Sequence, residues 1–138
     1  MSTFEDYTRA LVNEYRENDG KVSGTFAGVP LLLLITTGAK SGKLRVSPLI
    51  YTKDGDRLAI IASKGGAPTN PDWYHNLIAN PVATVELGTE TFQVRANMAN
   101  PTDRDRLYAK MVEQWPDFAE YEKRTTRKIP VIVLKRVI

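Results

Sequence analysis

One stretch of the chain decides the fold: residues 31–63, which read LLLLITTGAKSGKLRVSPLIYTKDGDRLAIIAS. Residues 31–37 are an apolar run that ends in β-branched residues, and such a run predicts a buried strand. Residues 44–52 and 57–63 predict two further strands, separated by the Asp54-Gly55 hairpin signal. Because short turns join the three strands, the stretch predicts an antiparallel meander rather than parallel strands with helical crossovers.

An amphipathic helix precedes the meander, within residues 1–20. Apolar side chains recur there at spacings of three and four, which places them on one helix face: Phe4, Tyr7, Leu11 and Tyr15. The helix is predicted to end before Asp19-Gly20 and to pack on the rest of the domain. The alternatives are a lid, a partner-binding helix or a helix that touches a membrane surface.

After the meander the chain alternates between helices and strands. Two Asn-Pro pairs, at residues 70–71 and 100–101, predict helix starts, because Asn is a good N-cap and Pro is favoured at the first helical position. The first of these helices has an apolar stripe made of Trp73, Leu77 and Ile78. The remaining predicted elements are a hairpin of residues 82–87 and 91–97, a short helix to about Arg124 and a last strand at residues 129–137.

The element order is therefore α-βββ-α-ββ-α-α-β. A curled antiparallel sheet must close or cover its edges, because unpaired strand edges invite aggregation. We expect an α+β fold in which a mainly antiparallel sheet forms a small barrel, with helices that cover one end.

Composition excludes several classes of site. The 138 residues suit one domain, and the chain has no cysteine, which excludes disulfides, thiolate metal sites and cysteine nucleophiles. His75 is the only histidine, so a histidine-rich metal site has no support and we expect no bound metal. The longest apolar stretch, residues 29–35, is far shorter than the roughly 20 residues that span a bilayer, and no signal peptide is visible. We expect a soluble, cytoplasmic protein.

Residues 38–43 form a candidate anion-binding turn. The sequence GAKSGK has three residues between its glycines rather than four, and Leu44 stands where a Walker A loop carries Ser or Thr, so a P-loop is excluded. Glycines still let backbone N–H groups turn towards an oxyanion, and Lys40, Lys43 and Arg45 supply charge-assisted bonds. The alternative is an ordinary turn with surface lysines.

A second segment, residues 62–68, leaves a strand with two glycines and a lysine. Glycine here lets a backbone approach a flat ligand closely, and the helix start at residues 70–71 is a second natural anion site. With Trp73 and Tyr74 beside it, the segment indicates a ligand that carries a phosphate and a flat ring. The alternative for both aromatic residues is packing in the core.

Taken together, these motifs resemble the deazaflavin-dependent nitroreductase family of actinobacteria. The matching segments are TTGAKSGKLRVSPL at 36–49, ASKGG at 62–66, NPDWYHNL at 70–77, ANP at 79–81 and RKIPV at 127–131. The resemblance covers roughly residues 25–137. It implies a single split β-barrel domain over residues 1–138, of the FMN-binding split-barrel type, and the cofactor F420, a deazaflavin with a phosphate and an oligoglutamate tail. It also implies hydride transfer from the reduced deazaflavin to a quinone, an enone or a nitro compound.

The family's cofactor-binding residues match four groups of positions. The turn that meets the tail phosphate corresponds to Ala39, Lys40 and Ser41. The strand along the cofactor corresponds to Arg45, Val46, Ser47, Pro48, Leu49 and Ile50, with Arg45 as the second phosphate cation. The strand end against the deazaflavin ring corresponds to Ile61, Ala62, Ser63 and Lys64. The helix start that closes over ring and tail corresponds to Asp72, Trp73, Tyr74, His75 and Asn76.

One position departs from the family pattern. Phe118 stands near the ring where nitroimidazole-activating members carry a tyrosine, and Trp115 replaces another tyrosine. A phenol can hydrogen-bond or protonate a substrate, whereas Phe118 cannot. Tyr121 and Ser63 remain as candidate catalytic residues, with solvent as the alternative proton source. The resemblance therefore extends to cofactor binding more fully than to nitroimidazole activation.

Two other functions fit the same residues. An FMN-binding split-barrel oxidoreductase is one, since FMN also joins a phosphate to a tricyclic ring; a non-catalytic F420 carrier is the other. Nucleic acid is not an expected partner, because the basic residues lie on turns rather than along one helix or an aromatic strand platform. The expected partner is a small-molecule acceptor, and we expect the protein to be a monomer or a homodimer. Weak contact of the first helix with a membrane surface is an alternative to its packing on the domain.

Overall fold

Six strands form one closed antiparallel barrel in the order β1-β2-β3-β6-β5-β4. The computed structural model describes residues 4–137, with side chains from Asp6 onward. The strands are β1 (Leu31–Thr37), β2 (Leu44–Asp54), β3 (Arg57–Ile61), β4 (Val82–Leu87), β5 (Glu90–Met98) and β6 (Val131–Arg136). The helices are α1 (Phe4–Glu17), α2 (Asp72–Ala79), α3 (Pro101–Gln114) and α4 (Asp117–Lys123), and short 3-10 turns occupy Gly24–Phe26 and Lys64–Gly66. The predicted α+β barrel and its order of helices and strands are confirmed.

The meander has the predicted pairing. β1 pairs with β2 over its full length, and β2 pairs with β3 across the Gly55-Asp56 turn. β3 ends at Ile61, two residues earlier than predicted, because Ser63 adopts a helical backbone conformation at the start of the Lys64–Gly66 turn. The barrel then closes through pairing of β3 with β6 and of β4 with β1. Full closure leaves no free sheet edge in this barrel.

Alternate residues of the strands fill the barrel interior. The interior cluster contains Leu32, Leu34, Leu58, Ile60, Ala62, Ala83, Val85, Val94, Ile132 and Leu134. Helix α2 adds Trp73 and Leu77 to the same cluster. The prediction that Ile78 shares their stripe is wrong, since its side chain is 59% exposed. Each helical residue turns the side-chain direction by about 100°, so the residue after Leu77 points away from the face that Trp73 and Leu77 share.

The other helices pack on the outside of the barrel. Leu11, Val12 and Tyr15 of α1 cover Leu31 and Leu33 of β1. Helices α3 and α4 cover the outer faces of β3 and β6 with Leu107, Tyr108, Met111 and Phe118. Among the described helices, only α2 therefore fits the expectation that helices cover one end of the barrel.

The C-terminal half of α1 is firmly docked on the barrel. Tyr15 is 1% exposed, and its hydroxyl donates to the carbonyl of Leu31 at 3.1 Å and accepts from the N–H of Gly88 at 2.8 Å. The predicted packing of this helix on the domain is confirmed for Leu11 and Tyr15, whereas Tyr7 is 48% exposed and the side chain of Phe4 lies outside the described residues. No helix within residues 4–137 has the length and apolar character to cross a membrane.

The two Asn-Pro pairs behave differently. Asn100 caps α3 as predicted, since its Oδ1 accepts from the N–H of Asp103 at 2.8 Å. The prediction that Asn70 caps α2 is wrong, because α2 begins at Asp72 and Pro71 precedes it in extended conformation. Asn70 Oδ1 instead accepts a hydrogen bond from Arg127 at 2.6 Å.

Candidate cofactor and active site

Two adjoining cavities lie beside the first half of β2. One has a volume of about 660 Å³ and is lined mainly by apolar side chains; the other, of about 840 Å³, is lined mainly by the turn at residues 38–43 and the start of α2. We call them the apolar cavity and the polar cavity. Both are lined by Val46, Ser47, Asp72 and Trp73, so they are the two ends of one groove.

Hydrogen bonds within the chain shape the turn of the polar cavity. The N–H of Gly38 donates to the carbonyl of Lys43 at 2.8 Å, and the N–H of Gly42 donates to the carbonyl of Gly38 at 3.0 Å. An added Cβ at Gly38 would lie 2.5 Å from Ser41 Oγ and 3.2 Å from the carbonyl oxygen of Lys43, so any larger residue there would force the Ser41 hydroxyl to turn away. The strand-to-strand connection is therefore a tight loop of fixed shape.

Asn76 holds this turn against α2. Its Oδ1 accepts from the N–H of Ala39 at 2.9 Å, and its Nδ2 donates to Thr36 Oγ1 at 3.1 Å. The side chain is 7% exposed. Asn76 was predicted to bind the cofactor, and the structure shows that its amide is already engaged in positioning the turn.

The turn leaves donors that can meet an anion. The N–H groups of Lys40 and Ser41 have no acceptor within residues 4–137. No carboxylate of this part of the chain pairs with the exposed side chains of Lys40 or Arg45. Two backbone donors and two cations beside one cavity can hold an oxyanion, because N–H groups and cationic side chains both hydrogen-bond to oxyanions.

Residues from several strands, helices and turns line the apolar cavity. Its apolar lining includes Pro48, Leu49, Ile50, Ile61, Trp73 and Phe118. Its polar members are Ser63, Lys64, Asp72 and Tyr121, together with Ser47. Helix α1 and the turn after it add Tyr7, Thr8, Leu11 and Phe26. A cavity with mostly apolar walls and a few polar groups suits a flat organic ring.

A close approach between the Lys64–Gly66 turn and α4 forms one wall of this cavity. Gly66 has φ +85°, and an added Cβ would lie 2.7 Å from Arg124 Cβ and 2.8 Å from the carbonyl oxygen of Tyr121. Glycine at this position therefore lets α4 pack directly against the turn. This contact brings Phe118 and Tyr121 of α4 to the same cavity as Ser63 and Lys64.

Contacts with two tyrosines fix Phe118. Its ring meets the ring of Tyr121 edge to face, with centroids 5.2 Å apart, and the hydroxyl of Tyr108 donates to its carbonyl at 2.6 Å. Burial raises the pKa of Tyr108 well above its usual range, so this phenol remains a neutral donor. Phe118 thus lines the cavity from a rigid position, while Tyr121 is half-buried beside it.

The groove gathers most residues that the sequence predicted. The predicted residues that line the polar cavity are Ala39, Lys40, Ser41, Arg45, His75 and Asn76. The apolar cavity takes Pro48, Leu49, Ile50, Ile61, Ser63, Lys64, Phe118 and Tyr121, and the four shared residues complete the set. The structure brings neither Ala62 nor Tyr74 to the groove: Ala62 lies in the barrel interior, and Tyr74 packs against that interior with its ring 5.4 Å from His75.

Sequence reasoning missed the contribution of α1. Tyr7 and Leu11 line the apolar cavity, as do Phe26, Leu31 and Pro71. The apolar stripe of α1 was visible in the sequence, and one interpretation of it was a lid. Nothing in the stripe says that its partner is the cofactor groove, because that contact depends on how α1 lies across β2.

A closed six-stranded barrel with a groove that is cationic at one end and apolar at the other is the arrangement expected of a split-barrel oxidoreductase for a phosphate-bearing ring cofactor. Comparison with known proteins gives the particular family. The model of the F420H(2)-dependent quinone reductase family matches residues 7–136, and the chain belongs to this family. The resemblance to deazaflavin-dependent enzymes seen in the sequence is thereby confirmed.

Individual relatives agree with this assignment. The chain is 44% identical over 126 residues to an F420H(2)-dependent quinone reductase of Mycobacterium tuberculosis strain H37Rv, with 88% of this chain and 85% of that protein covered. It is 39% identical to the solved structure of an F420-H2 dependent reductase, FDR-A, with TM-score 0.71 and coverage of 77% and 94%. A structure described as a domain-swapped dimer is 35% identical, with TM-score 0.73 and coverage of 96% and 100%.

Proposed function

We propose that this protein is an F420H2-dependent reductase that transfers a hydride from the reduced deazaflavin to a quinone. The observation that carries the proposal is the single groove in which an anion-binding turn adjoins a mostly apolar cavity. A cofactor with an acidic tail and an uncharged tricyclic ring needs both ends. The family to which the chain belongs supplies the choice of F420 and of a quinone acceptor.

The residues present fit this cofactor. Lys40, Arg45 and the free N–H groups of Lys40 and Ser41 match the phosphate and carboxylates of the tail. The apolar cavity, at about 660 Å³, lies in the usual range for small-molecule sites and has room for a ring and an acceptor. Asp72 and Ser47 lie where the two cavities meet, so we assign them to the linker between ring and tail.

The reduced deazaflavin, when bound, supplies the hydride, and the protein positions the reactants and excludes water. Trp73, Pro48 and Ile61 provide apolar walls for this purpose. Reduction of a quinone by hydride also consumes a proton. Among the hydroxyl groups of the apolar cavity, we assign those of Tyr121 and Ser63 as candidate proton donors or hydrogen-bond donors to the acceptor oxygen.

The remaining assignments are part of the same proposal. Residues 1–138 act as one deazaflavin-binding domain, and the protein is a monomer or a homodimer. One similar structure is described as a domain-swapped dimer, which supports the homodimer as the form to test first. We place the protein in the cytoplasm with peripheral membrane contact through α1. Tyr7 supports that contact, because it is 48% exposed and lines the apolar cavity.

A binding and turnover experiment tests the proposal. The purified protein is titrated with F420 and with FMN, followed by tryptophan fluorescence, and is then mixed anaerobically with F420H2 and a soluble naphthoquinone. We expect F420 to bind and the quinone to accelerate oxidation of the deazaflavin. Lys40→Met should weaken F420 binding, whereas Lys21→Met, which removes an exposed cation outside the groove, serves as the control. Binding of FMN alone, or bound F420H2 that no quinone oxidises, would contradict the proposal.

A further inference from the structure

Arg127 lines neither cavity, yet it ties together the segment that forms one wall of the apolar cavity. Its guanidinium donates four hydrogen bonds. Nε reaches the carbonyl of Ala67 at 2.9 Å, and Nη1 reaches Asn70 Oδ1 at 2.6 Å. Nη2 reaches the carbonyls of Ser63 at 2.9 Å and of Ala62 at 3.2 Å.

The four acceptors come from both ends of one segment. Ala62 and Ser63 directly follow β3, whereas Ala67 and Asn70 precede α2. Between and just beyond these points the chain supplies lining residues of the apolar cavity: Ser63, Lys64, Gly65, Pro71, Asp72 and Trp73. One side chain thus fixes how far the end of β3 lies from the start of α2.

All four acceptors are neutral. No carboxylate among the side chains described from Asp6 onward pairs with Arg127, whose own side chain is half-buried. The carbonyls of Ala62 and Ala67 have no other hydrogen-bond donor in this part of the chain. Removing the guanidinium would leave both carbonyls without a donor from this part of the chain, and the loss is costly at Ala62, which is fully buried.

We propose that Arg127 is a positioning residue for the ring of the cofactor, which acts by clamping the segment of residues 62–70. The inference rests on the proposed F420 function. The clamp needs a planar fork with several donors in fixed directions, which arginine has. Lysine offers the same charge on a single nitrogen and cannot span acceptors at both ends of the segment.

The test compares Arg127→Lys and Arg127→Met with Lys128→Met. Lys128 is the adjacent cation, is exposed, and pairs with Asp105 at 3.4 Å rather than with the segment. Each variant is titrated with F420 and with the deazaflavin that lacks the phosphate and tail. We expect both Arg127 variants to lose about tenfold in affinity for both ligands, roughly the effect of one unpaired buried acceptor. Lys128→Met should bind both ligands as the wild type does.

Three results would overturn the proposal. Wild-type affinity in Arg127→Lys would show that charge alone matters. Loss of F420 binding with unchanged binding of the tail-less ligand would place the effect at the tail. Unchanged affinity for both ligands in both Arg127 variants would remove any positioning role.

Amide hydrogen exchange tests the clamp without any cofactor. Arg127→Lys should exchange faster than the Lys128→Met control at residues 63–70, while the barrel strands exchange at the same rate in both proteins. Equal exchange at residues 63–70 overturns the clamp. If the wild type binds neither deazaflavin, the proposed function fails, and the exchange experiment still decides the clamp. If Arg127→Met does not fold, Arg127→Lys carries both measurements.

Discussion

Asn76 and Ala39 join the two walls of the polar cavity: the side-chain oxygen of Asn76 accepts a hydrogen bond from the N–H of Ala39 at 2.9 Å. The same amide donates to Thr36 at the end of β1. Because Asn76 lies on the helix that also carries Trp73, one buried side chain couples the anion-binding turn to a wall of the apolar cavity. The hydrogen bonds of Asn76 therefore fix the position of the turn at residues 38–43 relative to α2.

The first prediction concerns this coupling. Asn76→Ala should lower the free energy of unfolding by about 1–3 kcal/mol, because the Ala39 N–H loses its acceptor. It should also weaken F420 binding more than binding of the tail-less deazaflavin, since the turn loses its support. Chemical denaturation and fluorescence titration measure the two effects. Asn97→Ala, which removes an exposed amide from β5, is the control. Equal losses for the two ligands would show that Asn76 does not act through the turn.

The second prediction concerns salt. Lys40 and Arg45 are exposed, so their attraction for an acidic tail should be screened as ionic strength rises. We expect the affinity for F420 to fall between low salt and about 0.5 M salt, and the affinity for the tail-less ligand to stay constant. Lys40→Met and Arg45→Met should each reduce the dependence on salt. A flat salt profile for F420 in the wild type would place the tail away from the polar cavity.

The sequence predicted the barrel strands well because their signal is local. The apolar run of β1 and the Asp54-Gly55 signal determine strand and hairpin through a few neighbouring residues. The strand appears as expected, and the hairpin forms with its two-residue turn one position later, at Gly55-Asp56. The tight turn at residues 38–43 was predicted for the same reason, and its binding of an anion stays a prediction. The cap assigned to Asn70 was wrong because a contact from Arg127, far along the chain, competes for its side chain. The contribution of α1 to the groove also depends on tertiary packing, which no local pattern contains.

The third prediction separates two effects at neighbouring glycines. Gly65 and Gly66 both have positive φ, but an added Cβ meets no atom within 4 Å at Gly65, whereas at Gly66 it meets α4. Gly65→Ala should therefore cost only the backbone strain, about 1 kcal/mol. Gly66→Ala should destabilise more and should also weaken deazaflavin binding, because α4 must move away with Phe118 and Tyr121. Thermal unfolding and titration of the two variants side by side check this. Equal effects would mean that the contact with α4 is not limiting.

The fourth prediction concerns acid stability. Hydrogen bonds from Arg106, and also from Arg57, lower the pKa of Asp54 to about 2. A carboxylate with a depressed pKa stabilises the fold above its unfolded pKa of about 4, and that contribution is lost as the pH falls towards 2. Asp54→Asn should therefore destabilise the protein at pH 6, and the difference in unfolding free energy between this variant and the wild type should shrink as the pH falls to 3. Urea denaturation at several pH values measures this. Asp56→Asn, at the tip of the same hairpin, should keep the wild-type pH dependence.

The last prediction concerns the proton that quinone reduction consumes. Tyr121 places a phenol in the apolar cavity, and Phe118, 5.2 Å from it between ring centroids, places none. If Tyr121 protonates the acceptor, Tyr121→Phe should lower kcat about 100-fold while F420 affinity stays constant. If solvent supplies the proton, kcat in that variant should remain near the wild-type value, and Ser63→Ala should then be examined in the same way. Phe118→Tyr adds a second phenol to the same wall and should raise the rate with nitroimidazoles relative to quinones, measured as the ratio of the two kcat/KM values. A gain in that ratio would tie acceptor choice to this wall, because the substitution leaves the polar cavity and its anion-binding turn unchanged.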